Sequence, residues 1–545
     1  MSRRSTRTAK RTNASERQAG PEKAVSAERR EQNPSGWRSS FSPPRAKQLD
    51  DWLQVAPDGN IVVFSGKVEL GTGVRTALAQ IVAEELDVPL DRIRMVMGDT
   101  AVTPNEGYTA GSMTIQVGGV ALREAAAEAR QAMLKMAGDR LDAALDELVV
   151  EEGVVSVRGR PERRISYSEL MSGKRFNREV TGKAPKKRPA EYHLVGRPLP
   201  RLDIPAKLTG EPSFVQDLRL PGMLHGRVIR PPGPGARLVS VNPESVKDIP
   251  GFVQVVHLNN FLGVVAEREE ESRLAAARLE VVWQQDPVLP PMTRLYDFMR
   301  EQETTDQVVH GEGNVERALK DAFTRLHAVY FQPYQNHASI GPSCSVADYK
   351  PEIVRVWAST QGVYPLRKAL ADLLELPEEH LQVIHIEGPG VYGHNGSDDA
   401  AADAVLLSRA VGRPVRVQWT REEEFAWEPK APAMVMEVSG GLDSAGNIAA
   451  WQYDVWSPPH STRPQSGDDF VAGQAITGRP AATRGWYGGG DRNAPTNYRI
   501  HDQRVTIHWL PRSPLRASSM RSLGGTANTF ASESFMDELA AAAHR

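Results

Sequence analysis

The sequence contains a single cysteine, Cys344, in 545 residues. One thiol cannot form a disulfide within the chain, and by itself it cannot hold an iron–sulfur cluster or a cysteine-ligated zinc ion. Cys344 lies between two serines, outside any motif that would make it a nucleophile. We therefore expect it to be a small, buried core residue.

Long apolar runs and a charge excess are missing too. No run of about eighteen apolar residues occurs, so the sequence predicts no membrane-spanning helix. The 66 Lys and Arg residues nearly balance the 68 Asp and Glu residues, and the net charge of −2 does not indicate a nucleic-acid partner. The paired arginines Arg3 and Arg4 are not followed by an apolar segment, so they do not indicate an export signal.

The chain is too long for one compact core, and its composition suggests where it divides. Residues 1–48 hold many Lys and Arg but few large apolar residues, so we predict a disordered basic tail. An N-terminal ordered segment follows at 49–175, and the polar, proline-containing stretch 176–195 is interpreted as a linker. Strand-like patterns at 196–285 indicate a small α/β domain, and 286–545 forms a longer unit in which strands and helices alternate.

Several local patterns predict particular elements. Asp58-Gly59 between alternating apolar runs predicts a hairpin, and a second hairpin is predicted around the turn "DSAGN". Helical spacing of apolar residues predicts a helix over "VRTALAQIVAEELDV", and strands are predicted at "DRIRMVMG", "IVRVWAS", "LQVIHIEG" and "VRVQWT". We expect 457–500 to be irregular and the final helix to begin at Ser532 or Ser534, whose side chains suit an N-cap.

Five glycine-rich loops punctuate these elements, each at the end of a strand or the start of a helix. They are "VELGTGVRTALAQ", "GDTAVTPNEGYTAGSMT", "QPYQNHASIGPSC", "GPGVYGHNGSDDAAADA" and "MRSLGGTAN". Alone, each is explained at least as well by a tight turn, a capped helix or, for His337, a core histidine. Together they indicate a large polar ligand held mostly by backbone groups, because glycine allows close approach and free N–H groups at helix starts suit anions.

The loop "GPGVYGHNGSDDAAADA" raises a separate question, since His394, Asp398 and Asp399 could form a metal site. Two adjacent carboxylates at a helix start are explained by the helix dipole, which favours negative charge there. They would also repel an anionic ligand, so a phosphate should bind elsewhere. The aspartates can therefore be helix-start residues, and the metal-site alternative stays open at this point.

Taken in order, these loops and the segment "VGRPLPRLDIPAKLTGEPSFVQDLRLPGMLHGRVIRPP" resemble the molybdenum-binding large subunit of the xanthine dehydrogenase/aldehyde oxidase family. The similarity is strongest to the branch that contains the isoquinoline oxidoreductase and nicotinate dehydrogenase large subunits. It implies an α+β, multidomain molybdopterin-binding fold in which 196–285 is a small α/β-hammerhead-like domain. The C-terminal part of that fold is expected to be missing, because relatives continue beyond the position of Arg545.

The resemblance also implies a cofactor, a reaction and partners. The cofactor would be molybdopterin as the cytosine dinucleotide. Its dithiolene holds molybdenum, so no protein side chain need ligate the metal, and the aspartates near His394 would be helix-start residues. This chain would hold no iron–sulfur cluster or FAD. The reaction would be oxidative hydroxylation of an N-heteroaromatic compound or an aldehyde, with water as the oxygen source. Electrons would pass to a separate small [2Fe-2S] subunit and then to a flavin or cytochrome subunit. A cytoplasmic location is expected, with a periplasmic exported complex as the alternative.

Family positions transfer to individual residues of this sequence. Gln335 matches a glutamine that hydrogen-bonds a molybdenum oxo group, and Arg521 matches an arginine at the active-site face, so the resemblance implies catalytic roles for both. The residues expected to bind the cofactor are Gly71, Thr72, Gly73, Thr109, Gly111, Ser112, Gln335, Gly390, Val391, Tyr392, Gly393, Arg521 and Gly524.

Two departures from the family pattern bear on activity. Thr72 stands where the family usually has glutamine, so the shorter side chain would need a bridging water. The family's general-base glutamate, in a Gly-x-Gly-Glu segment, has no counterpart here, and Glu69, Glu84 and Glu533 lie in no such motif. We therefore expect a truncated or split large subunit. The alternative is a non-catalytic, degenerate member that keeps the fold.

Overall fold

The computed structural model describes residues 47–211, 213–285, 288–460, 462–480 and 488–545. Apart from its last two residues, the predicted disordered tail lies outside the described residues. The described chain is a mixture of helices and strands, as predicted. No helix in these ranges is both long enough and apolar enough to cross a bilayer.

The strands are, in chain order, β1 (Leu53–Val55), β2 (Ile61–Ser65), β3 (Ile93–Met97), β4 (Leu148–Glu151), β5 (Val154–Val157), β6 (Arg160–Ser166), β7 (Leu224–Val228), β8 (Arg237–Asn242), β9 (Phe252–Leu258), β10 (Phe261–Ala266), β11 (Glu280–Gln284), β12 (Thr305–Glu312), β13 (Thr324–Gln332), β14 (Cys344–Tyr349), β15 (Val354–Ala358), β16 (Leu381–His385), β17 (Val415–Gln418), β18 (Met434–Leu442), β19 (Ile448–Ser457) and β20 (Gln503–Trp509). The α-helices are α1 (Val74–Leu86), α2 (Val120–Leu141), α3 (Tyr167–Met171), α4 (Ile204–Leu208), α5 (Glu269–Arg278), α6 (Leu295–Glu301), α7 (Val315–Asp321), α8 (Val363–Leu374), α9 (Ser397–Val411), α10 (Arg421–Trp427), α11 (Val471–Thr477) and α12 (Gly525–Ala542).

The strands of the described ranges form five sheets. The largest has seven strands in the order β16-β15-β14-β17-β7-β10-β9, and the next has five, in the order β12-β20-β19-β18-β13. The smaller sheets are β1-β2-β3, β4-β5-β6 and β11-β8. Both predicted hairpins are confirmed: β1 pairs with β2 around Asp58-Gly59, and β18 pairs with β19 around the "DSAGN" turn.

The seven-stranded sheet takes strands from two of the predicted domains. β7, β9 and β10 come from 196–285, whereas β14 to β17 come from the longer unit, and the two groups meet where β17 runs parallel to β7. Helices α8 and α9 cover this sheet, and every residue of α9 from Ser397 to Ser408 is buried. The predicted domain boundary at residue 285 stays a prediction. Strands from both sides of this boundary pair with each other in one sheet.

The stretch interpreted as a linker, 176–195, has no helix or strand longer than a single turn, but it lies along α1. The Glu84 carboxylate accepts hydrogen bonds from the backbone N–H groups of His193, Leu194 and Val195 at 2.7–2.9 Å. The Lys187 ammonium, itself buried, contacts the same carboxylate at 3.2 Å. Glu84 therefore anchors this stretch on the N-terminal unit.

Two sequence predictions about the C-terminal region are wrong in detail. The final helix, α12, begins at Gly525, so Ser532 and Ser534 lie inside it instead of capping it. The cause is tertiary: the Asn528 side chain donates to the Gly490 and Arg492 carbonyls at 2.8 Å and extends the helix toward that loop. The stretch 457–500, expected to be irregular, contains α11, and its residues 461 and 481–487 lie outside the described ones.

Cys344 is a free, buried residue at the start of β14, as predicted. Burial raises the pKa of its thiol to about 12. A thiol with that pKa is protonated at neutral pH, and the thiolate is the reactive form. Cys344 is therefore a packing residue of the seven-stranded sheet.

His508 on β20 gives a pH-dependent contribution to stability. Its ring stacks on Trp456 at 4.4 Å, with Asp306 at 2.8 Å and Asp454 at 3.4 Å from its two nitrogens. Burial alone would lower the pKa of His508, but the two carboxylates outweigh it and raise the pKa above 6.5. The stabilisation is therefore complete below pH 6.5 and is lost as pH rises through the raised pKa.

We expect His508→Gln to remove about 1 kcal/mol of unfolding free energy at pH 6 and much less at pH 9. Urea unfolding at the two pH values measures the difference. His380→Gln, at an exposed histidine, is the control and should leave the pH profile unchanged. An equal loss at both pH values would contradict the assignment.

Candidate active site

A cavity of about 1580 Å³ lies between the seven-stranded sheet and the C-terminal loops. This volume exceeds the few hundred to about 1,000 Å³ of ordinary small-molecule sites. Eight stretches contribute to its wall, within 70–74, 108–115, 228–237, 260–262, 391–394, 426–430, 458–480 and 511–523. Four of the five glycine-rich loops described above supply residues to it.

The loop around Tyr392 is held against the segment 516–521 by backbone hydrogen bonds. His394 N–H donates to the Ser519 carbonyl at 2.7 Å, and Arg521 N–H donates to the Tyr392 carbonyl at 2.9 Å. Gly393, at φ 136°, pairs with Met520, and a Cβ there would lie 2.1 Å from the Ser519 carbonyl oxygen. Only glycine fits this position, because both the dihedral angle and the space exclude a side chain.

The first glycine loop lines the cavity through Thr72. It does not follow directly on a strand, because β2 ends at Ser65. Gly71 and Gly73 adopt left-handed conformations (φ 85° and 81°), and α1 begins directly after them. The buried Glu69 carboxylate accepts from Gly73 N–H and Arg75 N–H, both at 2.9 Å. Glu69 is thus the cap of α1, so it is not free to act as a base.

The hydroxyl-rich loop near residue 110 forms another part of the wall. Thr109, Gly111, Ser112 and Thr114 line the cavity. The Thr109 hydroxyl oxygen accepts from Val68 N–H at 2.9 Å, which ties this loop to the first glycine loop. Gly111 and Ser112 have positive φ angles of 64° and 59°. The chain then enters a π-helical turn at Thr114 that continues into α2.

The structure brings most, but not all, of the expected cofactor residues together. Those lining the cavity are Thr72, Thr109, Gly111, Ser112, Val391, Tyr392, Gly393 and Arg521. Those outside its lining are Gly71, Gly73, Gly390, Gly524 and Gln335. Gln335 is exposed to solvent, near the buried His337. The roles assigned to these residues stay predictions.

The most pronounced feature of the cavity was not expected from the sequence. The described lining contains nine basic residues, Arg230, Arg237, Lys430, Arg463, Arg479, Arg492, Arg512, Arg516 and Arg521, but only two acidic ones, Glu428 and Asp469. The chain as a whole is slightly acidic, so this charge is local. An anionic ligand would be attracted to such a wall.

A sequence signal for these basic residues exists, but it is weak. Arg230, Arg463 and Arg479 are each followed by proline in a stretch without regular structure. The same dipeptide occurs elsewhere, for example at Arg188-Pro189. The pattern could not have separated cavity arginines from surface ones.

Two buried aspartates on α9 pair with cavity arginines. Asp399 accepts from both terminal nitrogens of Arg516, at 2.9 and 2.7 Å. Asp403, four residues later on the same helix face, pairs with Arg230 and accepts from the Trp419 indole N–H at 3.0 Å. Burial raises the pKa of Asp403 to about 6, although the Arg230 charge opposes the rise. These aspartates orient two arginines of the wall.

These pairings also answer the question raised by His394, Asp398 and Asp399. His394 contacts Asp398 at 3.2 Å and the Ser518 hydroxyl at 2.8 Å, whereas Asp399 pairs with Arg516. The three side chains thus have different partners. In the described ranges, no three His, Cys, Asp or Glu side chains are placed to hold a metal ion.

The residues present fit a molybdopterin cofactor. The basic wall suits phosphate oxygens, and the glycine turns at 71–73, 109–114 and 391–393 let the backbone approach a ligand closely. The fold and the cavity therefore define a binding protein for a large anionic ligand.

Comparisons with known proteins identify the family. The molybdopterin cofactor-binding domain matches residues 33–195 and 299–462, together more than half of the chain. A nicotinate dehydrogenase subunit of Pseudomonas putida is 43% identical over 510 residues, which are 92% of this chain and 42% of that protein. The beta subunit of isoquinoline 1-oxidoreductase of Brevundimonas diminuta is 27% identical over 90% of this chain and 68% of that protein.

A solved structure has the same fold. Quinoline 2-oxidoreductase from Pseudomonas putida 86 superposes with a TM-score of 0.51 at 18% identity, over 64% of this chain and 48% of that chain. The chain therefore belongs to the molybdopterin-binding subunits of the xanthine dehydrogenase/aldehyde oxidase family of molybdenum-dependent oxidoreductases. The predicted family is confirmed. The chain spans less than half the length of the nicotinate dehydrogenase subunit that it matches.

Proposed function

We propose that this chain is the molybdopterin-binding part of a molybdenum hydroxylase that acts on an N-heteroaromatic compound or an aldehyde. The net reaction is R–H + H₂O → R–OH + 2 H⁺ + 2 e⁻, with water as the source of oxygen. When bound, molybdopterin would supply the metal centre that accepts the two electrons. The names of the relatives, nicotinate dehydrogenase and isoquinoline 1-oxidoreductase, favour an N-heteroaromatic substrate.

The observation that carries this proposal is the basic, glycine-lined cavity. Three of its nine Lys and Arg side chains are paired with aspartates, and the remaining basic residues and the left-handed glycine turns suit a cofactor with several negative charges. We propose the cytosine dinucleotide form, because the cavity is larger than a pterin monophosphate requires. Thr72, Ser112 and the 391–393 loop would hold the cofactor, and Arg521, whose guanidinium lies 5.9 Å from the Tyr392 ring centroid, would face the substrate side.

No described carboxylate is assigned the role of general base. Glu69 caps α1, and Glu84 accepts from three backbone N–H groups. Glu533 is exposed and accepts from the Tyr498 hydroxyl at 2.8 Å. Each of the three thus has a structural partner already.

The electrons need acceptors that this chain cannot hold with its single cysteine. We propose a separate small subunit with [2Fe-2S] clusters and, beyond it, a flavin or cytochrome subunit. The expected location is the cytoplasm, with export of the folded complex as the alternative.

Co-expression with the neighbouring open reading frames tests the function. The purified complex should contain molybdenum and a pterin, measured by elemental mass spectrometry and by fluorescence after oxidation, and acid hydrolysis should release cytidine monophosphate. It should reduce a dye in the presence of nicotinate, isoquinoline or benzaldehyde. A folded complex with neither molybdenum nor pterin would sink the proposal in favour of a non-catalytic chain, and metal without turnover would restrict the role to cofactor binding.

A further inference from the structure

Lys430 differs from most of the other basic residues of the cavity in its surroundings. Arg230, Arg479 and Arg516 each have a carboxylate partner. Arg237, Arg512 and Arg521 are exposed to solvent. Lys430 lines the cavity but is only 7% exposed. Among the described residues, no carboxylate oxygen lies within 4 Å of its ammonium group.

The ammonium of Lys430 has three N–H donors, and the described residues give it one acceptor, the Glu428 carbonyl at 3.0 Å. The Glu428 carboxylate is turned elsewhere: it accepts from His337 N–H at 2.7 Å, and its second oxygen lies 3.6 Å from the His337 ring. The neighbouring Glu424 carboxylate is occupied by the Ser343 N–H and hydroxyl. A buried ammonium with spare donors and no counter-ion requires an anion or must lose its proton.

The backbone places Lys430 close to the Tyr392 loop. Lys430 pairs with Ala517, donating to the Arg516 carbonyl and accepting from Ser518 N–H, both at 2.8 Å. The same short segment pairs through Met520 with Gly393. One strand-like segment therefore separates Lys430 from the Tyr392 loop.

We infer that Lys430 forms a subsite for an oxyanion, a carboxylate or a phosphoryl group, of the molecule that occupies the cavity. The inference rests on the proposed function for the identity of that molecule: the carboxylate would belong to a heteroaromatic acid as substrate, and the phosphoryl group to the cofactor. A carboxylate on the ring would make Lys430 the residue that selects acids over neutral heterocycles. Its ammonium would donate two charge-assisted hydrogen bonds to the anion, because the described residues provide no acceptor for these two N–H groups.

The pKa of Lys430 gives this subsite a pH signature. Burial, together with the Arg516 charge, lowers the pKa of Lys430 to about 8, against the attraction of Glu428 and Glu424. These groups and His337, which bonds to Glu428, are the charged or titratable groups facing it. An oxyanion binds the protonated form, so its affinity should be constant below about pH 8 and fall up to tenfold per pH unit above.

Calorimetry on the full 545-residue chain without cofactor tests the subsite. The probes are nicotinate, with neutral nicotinamide as its matched control, and inorganic diphosphate. Lys430→Met should weaken the affinity for the oxyanion that binds by about tenfold or more. The affinity for nicotinamide should not change. Lys430→Arg should retain binding at pH 7 and lose the decline above pH 8, because arginine stays charged.

The outcomes distinguish a substrate carboxylate from a cofactor phosphoryl group. They also distinguish failure of the subsite from failure of the proposed function. A loss confined to nicotinate assigns the subsite to a substrate carboxylate, and a loss confined to diphosphate assigns it to the cofactor. Lys350→Met, at a half-buried lysine near Asp348, should change neither. No binding of either oxyanion to the unaltered chain, or full binding by a folded Lys430→Met variant, overturns the subsite. Absence of molybdenum and pterin from the complex sinks the proposed function without affecting these measurements.

Discussion

Replacing Gly393 by alanine is expected to cost more than about 3 kcal/mol of unfolding free energy and most of the bound molybdenum. The new Cβ would lie 2.1 Å from the Ser519 carbonyl oxygen, 2.8 Å from Met520 Cα and 2.9 Å from the His337 ring. Two of these three contacts are backbone atoms of the segment that forms the cavity wall, so they cannot move aside as a flexible side chain can. The backbone angle of φ 136° adds strain to the clash.

Gly412→Ala is the matched control for this prediction. Gly412 also has a positive φ, 66°, but no atom lies within 4 Å of the position that its Cβ would take. It should therefore show only the backbone strain, about 1–2 kcal/mol, with normal molybdenum content in the assembled complex. Urea unfolding of the chain and elemental analysis of the complex measure the two effects. Equal costs for the two variants would show that the Tyr392 loop can relax and that Gly393 is not required for packing.

Replacing Asp399 by alanine is expected to have the second-largest effect, about 2–4 kcal/mol. Asp399 is fully buried, and besides Arg516 it accepts from Val471 N–H at 2.9 Å. The substitution leaves a guanidinium that is 24% exposed and a backbone N–H without their acceptor. Arg516 would then be free to move within the cavity wall, so cofactor retention should fall as well.

Asp468→Ala provides the comparison, because Asp468 pairs at 3.0 Å with Arg479, another cavity arginine, whose side chain is 69% exposed. An exposed pair should contribute at most about 1 kcal/mol. The double variant Asp399→Ala/Arg516→Met should recover part of the loss, since it removes the unpaired charge together with its partner. If Asp399→Ala costs no more than Asp468→Ala, the buried pair does not support the wall.

Local structure was the easiest feature to predict. Asp58-Gly59 between alternating apolar residues predicts the β1–β2 hairpin because turn geometry and side-chain alternation act over a few neighbouring residues. The periodic spacing in α1 is equally local. The predicted start of α12 was wrong, because Asn528 bonds to the loop at 490–492 and draws the helix back to Gly525, a contact between residues far apart in the sequence.

Of the candidate site, the glycine loops could be predicted and the basic wall could not. A glycine-rich loop is visible in a few consecutive letters, so Thr72, the 109–114 loop and the 391–393 loop were found. Lys430 and Arg516 are single charged residues in ordinary stretches, and whether such a residue faces solvent or a cavity depends on what packs around it. Gln335, which the family resemblance placed at the site, is exposed and outside the cavity lining, and its role stays a prediction.

The sequence by itself determined the family, the glycine turns and the absence of a cysteine ligand set, because these depend on residue identity and short-range order. Only the tertiary structure decided what His394, Asp398 and Asp399 do. Asp399 faces Arg516 from 117 residues away, and His394 faces Ser518 from 124. Partners this distant meet through the packing of α9 against the C-terminal loops, and the role of a buried carboxylate is set by the partner that it meets there.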